Sequence, residues 1–241
     1  MSIQRNLFLT GVSSGLGHAL AARYLDFGWR VFGISRREPD NLGHHPDFRF
    51  RPLDLREQAN AEPILRELLD GVEWLDLAIL NAGTFGQVED LANIPLADLQ
   101  DVMAVNVWAN KAIIDGLYTH ERRIWQIVTI SSGASVNGNR GWAGYAISKA
   151  ALNMLTKLYA REHPDTHFCA LAPGIVHTPM AEDICRRLSG EERFPAIRTF
   201  CAKRNTKEMF TPVQAAEVVM DAIRRLPTLV ESGAFADARG L

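Results

Sequence analysis

The chain has few cysteines, little net charge and no long apolar stretch. It contains three cysteines among 241 residues, none of them in a CxxC pair, and the odd number argues against a disulfide framework or a zinc site. We therefore expect Cys169, Cys185 and Cys201 to be buried or half-buried thiols. No apolar run approaches the roughly 18 residues that a membrane span requires. These absences predict a protein without a membrane segment, in a reducing, cytoplasmic compartment.

The overall balance of charge also excludes some partners. A formal net charge of −2 gives no electrostatic basis for binding nucleic acid. Apolar residues make up 47% and charged residues 22%, as is usual for a globular protein. Nothing between residues 1 and 241 has the composition of a linker, a repeat or a low-complexity segment. We therefore expect a single domain, with no metal site.

The most informative segment is Thr10–Gly17, which directly follows the apolar run at residues 6–9. Its pattern predicts a strand, a glycine-rich turn and then a helix, an arrangement whose backbone N–H groups can bind a pyrophosphate. Gly11 permits the tight turn, Gly15 leaves room for the phosphates, and Gly17 allows close packing of helix on sheet. An ordinary turn built of small residues is the alternative at this point.

Strand-like and helix-like segments alternate along the rest of the chain, which favours an α/β fold. We expect a Rossmann-type, doubly wound, mostly parallel sheet of seven strands with helices on both faces, and a lid-like segment at about residues 180–210 where charges mix and helical periodicity is poor. The predicted strands after the first are 29–35, 48–53, 74–80, 124–131, 167–171 and a segment within 229–236; the predicted helices after the first are 56–70, 96–119, 145–163 and 213–226.

Five landmarks follow one another at compatible spacing, and together they make the chain resemble the single-domain short-chain dehydrogenase/reductase family. The landmarks are the glycine-rich turn, Asp54, Asn81-Ala82-Gly83, Ser132 with Tyr145-x-x-x-Lys149, and Pro173-Gly174 followed by Thr178. The resemblance implies an oxidoreductase that uses a nicotinamide cofactor. Because the helices at 96–119 and 145–163 carry apolar residues on more than one face, we also expect a homodimer or homotetramer with these helices at the contact.

The resemblance also implies a catalytic set of Tyr145, Lys149, Ser132 and Asn106. Tyr145 would act as the acid or base, and Lys149, four residues later on the same helix face, would lower its pKa and bind the nicotinamide ribose. Ser132 would hold the substrate oxygen, with Ser131 as the competing choice. Asn106 would keep a water chain to the lysine, or would simply satisfy nearby backbone groups.

The cofactor positions carry over in the same way. Asp54 matches the carboxylate beside the adenine, and Asn81 matches the asparagine that lines the adenosine ribose, although Leu80 stands where the family commonly has a second asparagine. The segment Pro173–Thr178 resembles the one that holds the nicotinamide carboxamide. The full predicted cofactor set is Gly11, Ser13, Ser14, Gly15, Leu16, Gly17, Ser35, Arg36, Arg37, Asp54, Leu55, Asn81, Ala82, Gly83, Tyr145, Lys149, Pro173, Gly174, Val176 and Thr178.

The end of the second predicted strand distinguishes between the two nicotinamide cofactors. A 2′-hydroxyl is usually held by a carboxylate at this point, whereas a 2′-phosphate needs cations. The strand ends in Ser35-Arg36-Arg37, which offers two guanidinium groups and no acid. We therefore expect NADP(H), the alternative being a pair of surface arginines.

The C-terminal segment 232–237 bears on the substrate. It resembles the tail of sepiapterin reductases, in which an aspartate anchors the pterin, and that of the related benzil reductases, which act on aromatic diketones. Asp237 is thus a candidate substrate ligand, or else a cap or surface carboxylate. We expect an NADPH-dependent reductase of a small ketone or α-dicarbonyl. The alternatives are an NADP-dependent alcohol dehydrogenase working in the oxidative direction and a non-catalytic NADP-binding sensor.

Overall fold

In a computed structural model, which describes residues 4–188 and 190–241, a parallel sheet forms the centre of the molecule. Its strands, and those of a small two-stranded sheet, are β1 (Asn6–Thr10), β2 (Arg30–Ser35), β3 (Phe48–Pro52), β4 (Trp74–Leu75), β5 (Leu77–Leu80), β6 (Arg123–Ile124), β7 (Gln126–Ile130), β8 (His167–Ala172) and β9 (Ala234–Asp237). Within the described residues, the main sheet has seven strands in the order β3-β2-β1-β5-β7-β8-β9, all of them parallel, and the small sheet pairs β4 with β6. The predicted Rossmann-type fold is confirmed.

Helices cover both faces of this sheet. They are α1 (Gly15–Asp26), α2 (Ala61–Leu68), α3 (Leu96–Met103), α4 (Ala109–Tyr118), α5 (Ala143–Glu162), α6 (Pro179–Leu188), α7 (Pro195–Ala202) and α8 (Pro212–Leu229). Helices α1 and α8 pack on one face, and α2, α4 and α5 on the other. No helix of the described residues is long and apolar enough to span a membrane.

Side chains of the apolar strands contribute to two layers of hydrophobic core, one on each face of the sheet. In β1, Leu7 and Leu9 pack with α1 and α8, while Phe8 between them packs on the opposite face with α2 and α4. All three side chains are fully buried. Near-continuous apolar strands are what a parallel sheet covered on both faces requires. The strand order reverses between β1 and β5, so a crevice opens at the carboxyl ends of these strands, where doubly wound proteins bind ligands.

Two predicted strands are each divided into a short and a long part. The strand predicted at 74–80 is interrupted at Asp76, whose carboxylate accepts a hydrogen bond from the backbone N–H of Asn6 at 2.8 Å. The strand predicted at 124–131 is interrupted at Trp125 in the same way. The short parts leave the main sheet and pair with each other. A continuous apolar pattern gave no signal of this change of partner.

The helix predicted at 96–119 is also not continuous. A π-helical turn at Ala104–Trp108 separates α3 from α4. One extra residue per turn rotates the following side chains around the helix axis, and this rotation places Asn106 in the interior with no exposed surface. The π-helical turn changes the direction of the side chains along the helix, and this change explains why apolar residues occur on several faces of the predicted helix.

Two other predicted helices have different limits. The segment predicted to be helical at 56–70 forms a 3₁₀ turn at Gln58–Asn60 and then α2, because the Asp54 carboxylate accepts from the backbone N–H of Arg56 and holds the chain in a turn. Helix α8 begins at the predicted Thr211 cap but runs past Pro227 to Leu229. Pro227 has no N–H for the carbonyl of Ile223, and the side chain of Gln126 donates to that carbonyl instead, at 3.1 Å.

The lid segment is more ordered than its sequence predicts. Residues 180–204 contain most of α6 and all of α7, and Cys185 is joined to Cys201 by a disulfide with Cα atoms 5.4 Å apart. The expectation of three thiols was therefore wrong for this pair, while Cys169 is a free, buried thiol as predicted. The two cysteines are 16 residues apart in a segment of mixed composition, so no short cysteine motif in the sequence indicates that they pair.

Candidate active site

A cleft of about 1190 Å³ runs along the carboxyl ends of the sheet strands. The glycine-rich turn and the lid helices α6 and α7 contribute to its walls. The predicted cofactor and catalytic residues that line it are Gly11, Ser13, Ser14, Gly15, Leu16, Ser35, Arg36, Asp54, Leu55, Asn81, Ala82, Gly83, Ser132, Tyr145, Lys149, Pro173, Gly174, Val176 and Thr178. Segments far apart in the chain thus meet in one place.

The glycine-rich turn has the geometry of a phosphate cradle. Gly11 and Gly15 have positive φ angles of 79° and 60°, which side chains disfavour. Gly17 does not line the cleft; a Cβ there would lie 2.2 Å from the carbonyl oxygen of Gly11, so only glycine lets α1 approach β1 this closely. The first turn of α1 contains no acidic side chain. Its free N–H groups and the helix dipole therefore favour an anion, as a pyrophosphate requires.

At the end of β2, the cleft wall carries cationic side chains. Arg36 lines the cleft after β2, whereas Arg37 does not. Asp54 also lines the cleft, but Arg56 donates to both of its carboxylate oxygens, and these hydrogen bonds lower the pKa of Asp54 to about 2. The carboxylate is thus neutralised locally by Arg56, which the sequence gave no reason to select. Arg36 remains available for a phosphate.

Tyr145 and Lys149 lie on α5 at the centre of the cleft. The ammonium of Lys149 is 5.7 Å from the centre of the Tyr145 ring and donates to the carbonyl of Ile130 at 2.7 Å. Burial lowers the pKa of Lys149 to about 8. We expected Lys149 to lower the pKa of Tyr145, but burial of the phenol raises that pKa, with the Ser132 side chain acting in the opposite direction. The phenol therefore carries its proton at neutral pH.

The two adjacent serines have different surroundings. Ser132 follows β7, and its hydroxyl oxygen accepts from the backbone N–H of Ala134 at 3.1 Å, while its O–H is directed to the Tyr145 phenol in the cleft. The Ser131 side chain is 2% exposed and donates instead to Asn153 at 2.5 Å. Of the two candidates, Ser132 has the geometry to hold a substrate oxygen.

Asn106 does not line the cleft but supports it from behind. Its side-chain oxygen accepts from the backbone N–H of Thr84, and its amide donates to the carbonyl of Thr84 and to the hydroxyl of Ser148, all within 2.9 Å. These contacts are the ones that the alternative interpretation, a buried asparagine that satisfies nearby backbone groups, predicted, and the water chain to Lys149 stays a prediction. Asn106 thereby joins the loop after β5 to the helix that carries Tyr145.

Two further cofactor candidates stabilise the cleft wall. The amide of Asn81 donates to the carbonyl of Thr10 at 3.0 Å, which ties the end of β5 to the end of β1. Thr178 caps α6 by accepting from the backbone N–H of Ala181 at 3.1 Å, and its methyl group faces the open side of Gly15. Each residue thus faces the cleft while it fixes the element beside it.

At the C-terminal end of the sheet, Asp237 is already paired. Arg239 donates to both of its carboxylate oxygens, at 2.9 and 2.6 Å, and its own backbone N–H adds a third contact. Arg239 lines the cleft beside Gly174, and Asp237 does not. The substrate contact of Asp237 stays a prediction, and Arg239 is the charged side chain that this segment presents.

Three aromatic residues that sequence reasoning did not select surround Tyr145. Phe85 stacks on the Tyr145 ring with centroids 4.6 Å apart, and Trp142 meets Phe85 edge-on at 5.0 Å. Phe200 of α7 packs against Trp142 at 5.6 Å. We call Phe85, Trp142 and Phe200 the aromatic wall; all three line the cleft. Single aromatic residues in a loop, a turn and a lid share no pattern that a sequence could reveal.

The arrangement can protonate an oxygen that is held in the cleft. Ser132 can donate a hydrogen bond to that oxygen, Tyr145 can transfer a proton to it, and the charge of Lys149 can stabilise the phenolate that remains. Beside them, the glycine-rich turn and Arg36 fit the phosphates of a dinucleotide. The cleft thus brings an acid, a lysine and an anion cradle together.

Comparisons with known proteins agree with this geometry. A family model described as short chain dehydrogenase matches residues 5–188. The chain is 29% identical over 239 residues to "Benzil reductase ((S)-benzoin forming)" of Bacillus cereus, with 92% of this chain and 93% of that protein covered. A short chain dehydrogenase/reductase structure from Saccharomyces cerevisiae superimposes with a TM-score of 0.85 at 22% identity, over 97% of this chain and 96% of the other. The actinorhodin polyketide ketoreductase with NADPH gives a TM-score of 0.82 at 23% identity, over 97% and 95%.

Proposed function

The chain belongs to the short-chain dehydrogenase family and is an oxidoreductase, and from this premise we propose that it uses NADPH to reduce a ketone or α-dicarbonyl that carries an aromatic ring. The aromatic wall carries this proposal. Phe85 is buried and backs the Tyr145 ring, while Trp142 and Phe200 are half-buried and offer aromatic surface to the cleft, which favours an aryl group. The benzil reductase relative, named for an aromatic diketone, supports the same class of substrate.

The proposal of NADPH as the cofactor depends on the end of β2. Arg36 lines the cleft where the adenosine ribose of the cofactor would lie, and the nearest acid, Asp54, is engaged by Arg56. A 2′-phosphate would therefore meet the guanidinium of Arg36, beside a carboxylate whose negative charge is balanced by Arg56. The ketoreductase neighbour solved with NADPH supports this assignment.

The protonation of Tyr145 favours the reductive direction. When bound, the cofactor supplies the hydride that reaches the carbonyl carbon. The hydroxyl of Ser132 holds the carbonyl oxygen by a hydrogen bond. The neutral phenol of Tyr145 transfers its proton to that oxygen as the alcohol forms. Lys149, whose ammonium is held by the carbonyl of Ile130, stabilises the phenolate until solvent restores the proton. Oxidation of an alcohol would need the phenolate first, which burial disfavours.

Among the substrates considered, an aromatic diketone suits the cleft better than a pterin. Recognition of the pterin ring by Asp237 needs a free carboxylate, and both oxygens of Asp237 are occupied by Arg239. The aromatic wall needs only an apolar ring.

We also propose that the protein is cytoplasmic and forms a homodimer or homotetramer.

The test is a turnover assay in which NADPH absorbance is followed with benzil and other aryl diketones, an aliphatic diketone and a pterin. We expect turnover of the aryl diketones with the wild type. Tyr145→Phe should lower kcat by about a thousandfold, as loss of a general acid does, with little change in the Kd of NADPH. A substantial rate with Tyr145→Phe would contradict the assignment of the acid. Preference for the aliphatic diketone would contradict the role of the aromatic wall.

A further inference from the structure

A polar side chain on α5 lies one turn beyond the catalytic lysine. Tyr145, Lys149 and Asn153 are spaced four residues apart, so they follow one stripe of the helix. Asn153 is half-buried and does not line the cleft. None of the roles assigned above uses it.

Asn153 makes two hydrogen bonds, one to each side of Ser132. Its side-chain oxygen accepts from the hydroxyl of Ser131 at 2.5 Å, and its amide donates to the hydroxyl of Ser135 at 2.9 Å. Ser135 in turn donates to the backbone carbonyl of Ser132 at 2.6 Å. One amide group thus holds the residue before Ser132 directly and the carbonyl of Ser132 through a single hydroxyl.

We propose that Asn153 is a positioning residue, which sets the orientation of the Ser132 hydroxyl relative to the Tyr145 phenol. The inference rests on the proposed function, in which Ser132 holds the carbonyl oxygen. The two groups come from different elements, the turn after β7 and the helix α5, and Asn153 joins these elements next to the reacting atoms. A hydroxyl displaced by about 1 Å is enough to slow such a reaction strongly.

The surrounding contacts separate this role from general support of the fold. The backbone N–H of Ser131 is paired with the carbonyl of Leu171 in the sheet, so the end of β7 stays in register without Asn153. The turn at residues 132–135 also has a backbone hydrogen bond of its own, from the N–H of Ser135 to the carbonyl of Ser132, so what Asn153 adds is the placement of the Ser131 and Ser135 hydroxyls on either side of Ser132. Loss of Asn153 should therefore act on catalysis through Ser132.

The test is a double-mutant cycle with Asn153→Ala and Ser132→Ala. Asn153→Ala alone should lower kcat/KM by about tenfold or more, mainly in kcat, while the Kd of NADPH stays unchanged. In the Ser132→Ala background, the same change should cost less than about twofold, because the group that it positions is already gone. Independent, multiplying effects of the two substitutions would overturn the proposal.

A matched control comes from the same helix. The Thr156 hydroxyl is fully buried and donates to the carbonyl of Leu152, and it also contacts the hydroxyl of Thr129 in β7. Thr156→Val removes a buried hydrogen bond between the same helix and strand, but away from Ser132. It should lower the melting temperature and leave kcat/KM near the wild-type value. A loss of activity equal to that of Asn153→Ala would reduce Asn153 to a structural residue and overturn the proposal.

Two further measurements keep the test decisive. Ser135→Ala removes the hydroxyl that connects the Asn153 amide to the Ser132 carbonyl and leaves the bond between Asn153 and Ser131 intact. It should lower kcat in the same direction even where Asn153→Ala folds poorly, and wild-type kcat in this variant would count against the proposal. Amide hydrogen exchange at Ala134 and Ser135 reports the turn without any turnover and should speed up in Asn153→Ala. If the wild type reduces no carbonyl compound, the proposed function fails, and unchanged exchange at these amides would overturn the positioning role separately.

Discussion

Arg36 and Arg37 are consecutive in the chain, but their side chains have different surroundings. Arg36 lines the cleft at the end of β2, while Arg37 lies outside the lining and its carbonyl accepts from the hydroxyl of Ser35. The sequence suggested both as partners of a 2′-phosphate. In the proposed function, an unequal division follows, in which Arg36 makes the contact and Arg37 contributes by its charge.

The preference for NADPH over NADH should therefore depend on Arg36. We expect Arg36→Ala to reduce the ratio of the two affinities by about tenfold or more, which corresponds to about 1.4 kcal/mol. Arg37→Ala is the matched control and should have the smaller effect. Fluorescence titration of each variant with both cofactors measures the ratio. An Arg36→Ala protein that keeps the wild-type preference would show that Arg36 does not contact the 2′-phosphate.

Residues with a fixed spacing were the ones that the sequence could identify. The glycine-rich turn, Tyr145 and Lys149 are recognisable because the phosphate cradle and the i, i+4 pair each demand a local pattern. The aromatic wall and Asn153 have no such pattern, since their roles arise only when separate elements meet. Arg56 also escaped notice, because only the folded turn brings its guanidinium onto Asp54.

The lid is the segment whose helical structure differs most from what the sequence pattern predicts. Helices α6 and α7 have ten and eight residues, and each is too short to be stable alone. They are held by Phe85, Phe194 and Ile197 in a small apolar core of their own, and by the disulfide between Cys185 and Cys201 within it. The cross-link makes the two helices one body above the substrate end of the cleft.

Removal of this cross-link should loosen the lid. We expect a reductant to lower the melting temperature of the wild type, because a disulfide closing a loop of this length contributes up to about 3 kcal/mol. A protein with both Cys185→Ser and Cys201→Ser should melt lower and show no response to reductant, and it should have a higher KM for the carbonyl substrate with an unchanged Kd for NADPH. Cys169→Ala, the control, should still respond. Thermal melts with and without reductant decide the matter; identical wild-type curves would contradict the expectation.

The outer surface of the molecule carries an unpartnered apolar stripe. Ile147, Met154 and Leu158 lie along one side of α5 and are about half exposed, and Trp108 of the π-helical turn is exposed to the same degree. Exposed apolar side chains aligned on a helix indicate a surface that another chain covers. Sequence reasoning reached the same two helices from their apolar faces, although it could not separate the core-facing residues from these.

The protein should accordingly be a homodimer or homotetramer in solution. Met154→Glu combined with Leu158→Glu should shift it toward the monomer, because two charges would be buried in the contact. Phe27→Glu is a suitable control, since Phe27 is exposed directly after α1, on the opposite face of the sheet. Light scattering at micromolar concentration measures the mass. A monomeric wild type would contradict the prediction.

Trp142 gives the molecule a natural optical reporter. Of the five tryptophans in the chain, it is the one that lines the cleft within the described residues. Indole emission overlaps the absorption band of a reduced nicotinamide, so energy can pass from the excited Trp142 to a nucleotide bound nearby. Arrival of the reduced cofactor thus becomes visible as quenched protein fluorescence and sensitised nucleotide emission, and the ring that shapes the substrate end of the cleft also signals when the other end is filled.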